Sequence, residues 1–340
     1  MIPKNIDRPS GKSSYMKKDI KVLPSLAIVV PCYNEEQVFP ECLAALTQKL
    51  VELINNLKIS PESHIIFVDD GSKDRTWELI RQASEEDNKV RGLKLSKNQG
   101  HQTALIAGLT DVDTDICISI DADLQDDIGC INKMVDEYMK GHEIVYGVRN
   151  DRTSDSFFKR FTANSFYKVM SRLGVNQVEN HADYRLLSQR ALQSLLALKE
   201  RNIYIRGMVP LLGYSSSQVT YRRNERFAGE SKYPLKKMLA LAIEGITSLT
   251  VTPLRIISLL GFATCLLSLF AILYAIVQKL EGNAMEGWTS VTISIFFLGG
   301  IQLICLGVIG EYVGKIYLET KNRPKFFIEE STKGNNDENN

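Results

Sequence analysis

The stretch DICISIDADLQDD, residues 115–127, decides the reading of this chain. It opens with DICISI, a mostly apolar run with the look of a buried strand, and closes with DADLQDD, four acids in seven residues. Crowded carboxylates repel one another, and a desolvated carboxylate is unfavourable unless it is paired or bound to a metal. Something positive is therefore expected at the end of this strand. In a strand extension alternate residues face the same side, so Asp121 and Asp123 can point at one ligand. Two carboxylates plus phosphate oxygens of a substrate make a hard oxygen site suited to Mg²⁺ or Mn²⁺. Alone, such a pair also fits a solvated turn. Asp126 and Asp127 read as caps for the helix that starts near Ile128.

Upstream the pattern alternates. LAIVV (26–30), HIIFV (64–68), VRGLKL (90–95), DICISI (115–120) and HEIVYGV (142–148) read as strands. Glu35–Asn56, Asp74–Glu86, Gln99–Thr110 and Ile128–Lys140 carry helical spacing between them. Short apolar strands alternating with helices predict an α/β fold with a doubly wound, mostly parallel sheet. Ligands of such sheets bind beyond the carboxyl ends of the strands. PCYNEE (31–36), DDGSKD (69–74), SKNQG (96–100) and DADLQDD (121–127) all fall there, so four chain-distant polar clusters converge on one rim. Further on, Ser156–Leu173 reads as a helix and residues 184–200 as a short strand followed by a helix.

Charge and composition narrow the classes. Lys and Arg total 41 against 40 Asp and Glu, so nothing in the overall balance points to nucleic acid. The basic residues cluster instead, at residues 4–21 and 222–237. The six cysteines form no CxxC pair, which argues against a zinc site or a disulfide framework. No apolar signal segment is expected at the N-terminus. Ile256–Val277 and Trp288–Gly310 carry no charge, and each exceeds the roughly 20 residues that cross a bilayer core. Lys236, Lys237 and Arg255 precede the first span, and Lys315, Lys321, Arg323 and Lys325 follow the second. The positive-inside rule then predicts a hairpin in the inner (plasma) membrane with both termini cytoplasmic. Gly299, Gly300, Gly307 and Gly310 could allow close helix packing, and self-association into a homo-oligomer is expected. The organisation expected is a basic tail over 1–24, a catalytic domain over 25–234 and a juxtamembrane amphipathic helix over 235–253. Two membrane helices follow within 254–314, then a cytoplasmic tail over 315–340 whose end, STKGNNDENN (331–340), reads as disordered.

VVPCYNEE (29–36), VDDGSKDRT (68–76) and DADLQDD, in this order and at these spacings, resemble the inverting family 2 glycosyltransferases of GT-A fold. DADLQ, ADYRLLS (182–188) and RFAGESKYP (226–234), together with the apolar C-terminal pair, resemble more narrowly the polyisoprenyl-phosphate glycosyltransferases. That group includes bactoprenol glucosyltransferases and dolichol-phosphate mannose synthases. The resemblance implies a nucleotide-sugar donor and a polyisoprenyl phosphate acceptor at a membrane. Pro31, Tyr33 and Glu35 would line the nucleoside pocket, and Asp70 would contact base or ribose. Asp121 and Asp123 would hold the metal–diphosphate with Gln125 nearby, and Arg226 and Lys232 would reach donor phosphates. Asp183 matches a position near the active site, where an orienting role is expected, with Arg185 its candidate partner. A purely structural Asp–Arg pair fits the same residues.

The acceptor end follows from charge. Arg149, Arg152, Lys159 and Arg160 follow the fifth strand, and arginine matches phosphate oxygens bidentately. Arg149 and Arg160 are the expected phosphate ligands. A phosphate acceptor is already ionised near neutral pH, so no dedicated base is expected. The implied reaction is inverting transfer of a hexose, glucose from UDP-glucose, to undecaprenyl phosphate at the cytoplasmic face, supplying a lipid-linked sugar for O-antigen or envelope glycans. GDP-mannose with dolichol phosphate, another UDP-sugar, or a non-catalytic membrane scaffold remain alternatives. Two departures from the family pattern stand out. DDIGC follows DADLQ where Asp-Pro-Pro-Glu is common. SKNQGHQTA replaces an Asn-Phe-Gly-Lys form, and His101 within it reads as a helix-start residue.

Overall fold

The protein is seen in a computed structural model that describes residues 23–149, 181–198, 200, 203–222 and 287–333, with scattered positions between 254 and 277. Its framework begins with β1 (Leu26–Cys32), whose seven residues are all buried. Only a strand covered on both faces tolerates an unbroken apolar run. β1 pairs in parallel with β2 (His64–Asp69) on one side and with β4 (Ile116–Ser119) on the other. β3 (Val90–Leu95) continues the parallel set beside β2.

Strand alternation sorts the core into two layers. Leu26, Ile28 and Val30 face the helices α1 (Phe39–Asn55), α2 (Thr76–Glu86) and α4 (Cys130–Met139). Ala27 and Val29 face α3 (His101–Thr110), α5 (Gln189–Ala197) and α6 (Ile205–Leu211). The two-sided cover is the α/β, doubly wound arrangement that the sequence pattern predicts. α3 approaches the sheet closely at Gly108, where an added Cβ would sit 2.5 Å from Val29 Cγ1 and 2.6 Å from Val68 Cγ2.

The second half of the sheet is mixed. The eight strands run in the order β7-β5-β6-β4-β1-β2-β3-β8. β6 (His181–Ser188) inserts between β4 and β5 (Ile144–Arg149) and is antiparallel to both. β7 (Ser216–Tyr221) pairs in parallel with β5. Because β6 runs backwards, its beginning lies at the rim where β4, β5 and β7 end. That reversal delivers Asp183 to the same edge as Asp121, Arg149 and Tyr221.

Two further differences concern the C-terminus. α7 (Trp288–Thr320) has 33 residues, about 50 Å at 1.5 Å per residue, against a hydrocarbon core of about 30 Å. The helix therefore runs past Gly310, the end of the charge-free span, through Glu311, Lys315 and Glu319. Among the described residues it alone is long and apolar enough to cross a membrane, over Phe297–Thr320. Of the other span, 256–277, half the residues are described, residues 257–264 among them as helix, while the helices expected over 156–173 and 235–252 lie outside the described residues. The chain then returns to the sheet. β8 (Ile328–Ser331) pairs antiparallel with the open edge of β3. Thr332 exchanges hydrogen bonds with Gly92, and Trp77 Nε1 donates to Glu330 at 3.0 Å. Residues 331–333, read from composition as the start of a disordered tail, thus belong to this sheet edge. A low-complexity polar stretch can still pair when a strand edge offers its backbone groups a partner.

Substitution Gly108→Ala should lower unfolding free energy by about 1–3 kcal/mol through overpacking. Denaturant titration of the detergent-solubilised protein checks this, and an unchanged midpoint would contradict the close approach of α3 to Val29 and Val68.

Candidate active site

The rim is assembled from loops that lock one another. Asn34 Oδ1 accepts from Lys73 N at 2.8 Å, and Asn34 N donates to Ser72 Oγ at 2.9 Å. Glu36 N donates to Asp74 Oδ2, while Glu36 Oε2 accepts from Arg75 N. The loops after β1 and β2 therefore form one unit. Gly71 sits at φ +65°, and a Cβ there would lie 2.6 Å from the backbone of Lys97 and Asn98. Only glycine lets the loop after β2 meet the loop after β3 so closely. Pro31 lies in the buried end of β1, Tyr33 beyond the strand is 41 % exposed, and Glu35 is half-buried. Asp70 is buried and accepts from Gln99 N at 2.7 Å and Gly100 N at 2.9 Å. Burial raises its pKa against the pull of those two amides. Its carboxylate oxygens thus brace the start of α3, a role that the expected contact to base or ribose does not require.

At the end of β4 the acids separate into distinct roles. Asp127 is a true helix-start residue: its Oδ1 accepts from Gly129 N at 2.8 Å. Asp126 is not a cap. It is buried, its Oδ1 accepts from the Tyr221 hydroxyl, and Arg149 Nη2 donates to the same oxygen at 3.1 Å. Sequence adjacency favoured a cap; the local turn instead aims this side chain at the ends of β5 and β7. Leu124 at φ +55° and a bond from Gln125 N to Asp123 Oδ1 (3.2 Å) shape the turn between them. Gln125 is buried beside it.

Two acids of this turn keep a buried oxygen without a hydrogen-bond partner: Asp126 at Oδ2, although its Oδ1 is doubly engaged, and Asp121 at Oδ1. His101 Nε2 lies 3.4 Å from Asp121 Oδ1, out of hydrogen-bond alignment. Burial pushes the Asp121 pKa up to about 6; His101 opposes the rise, and Asp183, Asp126 and Asp123 add to it. An orphaned oxygen of this kind, two residues from a second carboxylate, fits a divalent cation. Among the described residues no group of three or more His, Cys, Asp or Glu is placed to hold a metal ion.

Asp183 presents the opposite case. It accepts from Arg185 Nη2 at 2.6 Å, from Arg206 Nε and Nη2 at 3.2 and 3.1 Å, and from Gln102 Nε2 at 3.1 Å. His101 Nε2 stands 3.6 Å away. Burial alone would raise its pKa, but His101, Arg206 and Arg185 together hold it well below the usual carboxylate range. A carboxylate so saturated with donors is a poor proton acceptor. His101 begins α3, as expected of it, and also bridges toward two acids. Desolvation disfavours its charged form, yet Asp183 and Asp121 outweigh that and raise its pKa.

The rim brings together Pro31, Tyr33, Glu35, Asp70, Asp121, Asp123, Gln125, Asp183 and Arg149. Arg160, Arg226 and Lys232 lie outside the described residues, as do Arg152 and Lys159. Three participants escaped the sequence reading. Arg206 is 23 residues from Asp183 and carries no local signal. Gln102 could have been found from its place at a helix start on the rim. Tyr221 ends SSQVTY, where the alternation of β7 buries it with Val219.

The chain is similar to several known proteins. A profile described as Glycosyl transferase family 2 matches residues 27–196, and one described as GtrB C-terminal hairpin matches residues 252–316. The uncharacterized glycosyltransferase YkoT of Bacillus subtilis (strain 168) is 53 % identical over 308 residues, 90 % of this chain and 91 % of that one. An SfII prophage-derived bactoprenol glucosyl transferase of Shigella flexneri is 39 % identical over 91 % of this chain and 99 % of its own. Among solved structures, glucosyl-3-phosphoglycerate synthase from Mycobacterium tuberculosis shares 16 % identity at a TM-score of 0.44, over 66 % of this chain and 77 % of that one.

The unsatisfied Asp121 makes a stability prediction. Its folded pKa of about 6 lies above the 3.8 of the unstructured side chain, so metal-free protein should lose stability as pH rises from about 4 through 6. The side chain is 31 % exposed, which discounts the effect to about 1–3 kcal/mol. In EDTA at pH 7, Asp121→Asn should therefore unfold at higher denaturant than wild type, and added Mg²⁺ or Mn²⁺ should narrow the gap. A destabilised Asp121→Asn protein in EDTA would contradict this account of the carboxylate.

Proposed function

Because the chain belongs to glycosyltransferase family 2, we propose that it transfers glucose from UDP-glucose to undecaprenyl phosphate at the cytoplasmic face of the membrane, with inversion at the anomeric carbon. The observation that carries the reading is the pairing, on one rim, of an orphaned Asp121 oxygen with the partly exposed guanidinium of Arg149. One suits a cation-bound diphosphate and the other an anionic acceptor. Similarity to the bactoprenol glucosyl transferase, 39 % identical across nearly its whole length, supports the lipid acceptor and the sugar, and the apolar α7 supports a site at a membrane.

The loops after β1, β2 and β3 would hold the nucleoside through Pro31, Tyr33 and Glu35, with Asp70 keeping the start of α3 in place. Asp121 and Asp123 would hold Mg²⁺ or Mn²⁺, which when bound neutralises the diphosphate leaving group. The acceptor phosphate oxygen forms its bond to the anomeric carbon as the bond to the diphosphate breaks on the opposite face. Arg149 orients that phosphate and balances its charge, with Arg160 assigned the same task. No proton has to be removed from an ionised phosphate. The donor-saturated Asp183 agrees with this: it organises His101, Gln102 and Arg206 around the reacting centre. The lipid-linked glucose would then serve O-antigen or other envelope glycans.

Incubation with radiolabelled UDP- and GDP-sugars and undecaprenyl phosphate tests the proposal. UDP-glucose should label the lipid. Asp123→Asn should reduce transfer by about 100-fold or more, and Arg149→Ala should raise the acceptor KM by about tenfold. Labelling by GDP-mannose alone would replace the donor, and wild-type turnover in Asp123→Asn would defeat the metal assignment. Donor binding without transfer to any lipid phosphate would favour a scaffold.

A further inference from the structure

Arg149 ends β5 in a fixed pose. Its Nε donates to the Tyr221 hydroxyl oxygen at 3.2 Å, and its Nη2 donates to Asp126 Oδ1 at 3.1 Å. The Tyr221 hydroxyl in turn gives its proton to the same Asp126 oxygen. A phenol has one proton to donate and can accept through its oxygen, so the three groups form a closed and mutually consistent ring. They come from three separate places: the turn after β4, the end of β5 and the end of β7. Asp126 is 1 % exposed, while the Arg149 side chain is 27 % exposed.

The ring consumes one edge of the guanidinium. Nε–H and one Nη2–H are engaged, while both N–H groups of Nη1 and the second of Nη2 have no partner among the described residues. Those remaining donors form the end-on fork that matches two oxygens of a phosphate. A guanidinium held from behind arrives at the phosphate with its rotamer already selected. Asp126 meanwhile directs its charge at Arg149 from a buried position.

We propose that Asp126 and Tyr221 are positioning residues that aim the free edge of Arg149 at the phosphate of the acceptor lipid. The proposal rests on the reading of Arg149 as an acceptor ligand. It adds two residues that do not themselves touch substrate, and it gives the turn carrying Asp121 and Asp123 a second task in ordering the acceptor side.

The test uses the full-length protein in lipid nanodiscs, with KM measured separately for undecaprenyl phosphate and for the sugar nucleotide. Tyr221→Phe removes only the hydroxyl and keeps the ring in its edge contact with Tyr184. It should raise the acceptor KM about tenfold, with the donor KM and the thermal midpoint unchanged. Asp126→Asn should move the acceptor KM in the same direction; if it fails to fold, Tyr221→Phe carries the test alone. On an Arg149→Ala background, Tyr221→Phe should add nothing, because the group it aims is gone. A purely structural ring predicts otherwise: a lowered midpoint with an unmoved acceptor KM, or equal losses with and without Arg149. Either result overturns the proposal. Wild-type turnover with no acceptor effect in Tyr221→Phe sinks this inference alone. A wild-type protein that glycosylates no lipid phosphate sinks the functional reading beneath it as well.

Discussion

Negative charge crowds the end of β4, and removal from water obliges each carboxylate to find a positive or donating partner. The molecule answers this demand three times in different ways. Asp183 is surrounded by Arg185, Arg206, Gln102 and nearby His101. Asp126 is held by Arg149 and Tyr221. Asp121 keeps a buried oxygen with no hydrogen-bond partner. Asp126 also keeps Oδ2 buried without a partner, but its Oδ1 is fixed by two donors, whereas His101 approaches Asp121 only at 3.4 Å and out of hydrogen-bond alignment. The acids of the rim are thus satisfied asymmetrically.

The mixed half of the sheet makes the asymmetry possible. A wholly parallel sheet would bring only strand ends to the rim. Antiparallel β6 brings a strand beginning there, with Asp183 and Arg185 two residues apart on one face. Parallel β5 and β7 then end beside it with Arg149 and Tyr221. On the opposite edge, β8 returns from the long apolar helix and pairs with β3. The segment that leaves the membrane-type helix is thus hydrogen-bonded into the catalytic sheet, through Glu330 with Trp77 and Thr332 with Gly92.

Much of this was visible beforehand. The strands LAIVV and HIIFV, the loop motifs after them and the acids after DICISI could be placed on one rim because burial on both faces demands uninterrupted apolar runs. Chemistry singled out Asp121, Asp123 and Arg149 as candidates, and the structure places them on that rim. The cap assigned to Asp126 did not survive, because the helix begins four residues later, at Cys130, and a side chain in the preceding turn can equally point inward. The reading of residues 331–333 as disordered failed for a related reason: composition reports what a segment can do alone, and an open strand edge changes that.

Sequence by itself determined the periodicities, and with them the layered α/β core, the ends where polar loops gather, and the apolar C-terminal segment. These follow from local rules: alternation in strands, 3.6-residue spacing in helices, and the need to keep long apolar runs out of water. Only the tertiary structure decided which acid meets which donor. Arg206 meets Asp183 across 23 residues, and Tyr221 meets Asp126 across 95. Partnerships of that kind depend on strand order and direction, which arise from packing the whole sheet and leave no trace in the spacing of the residues concerned.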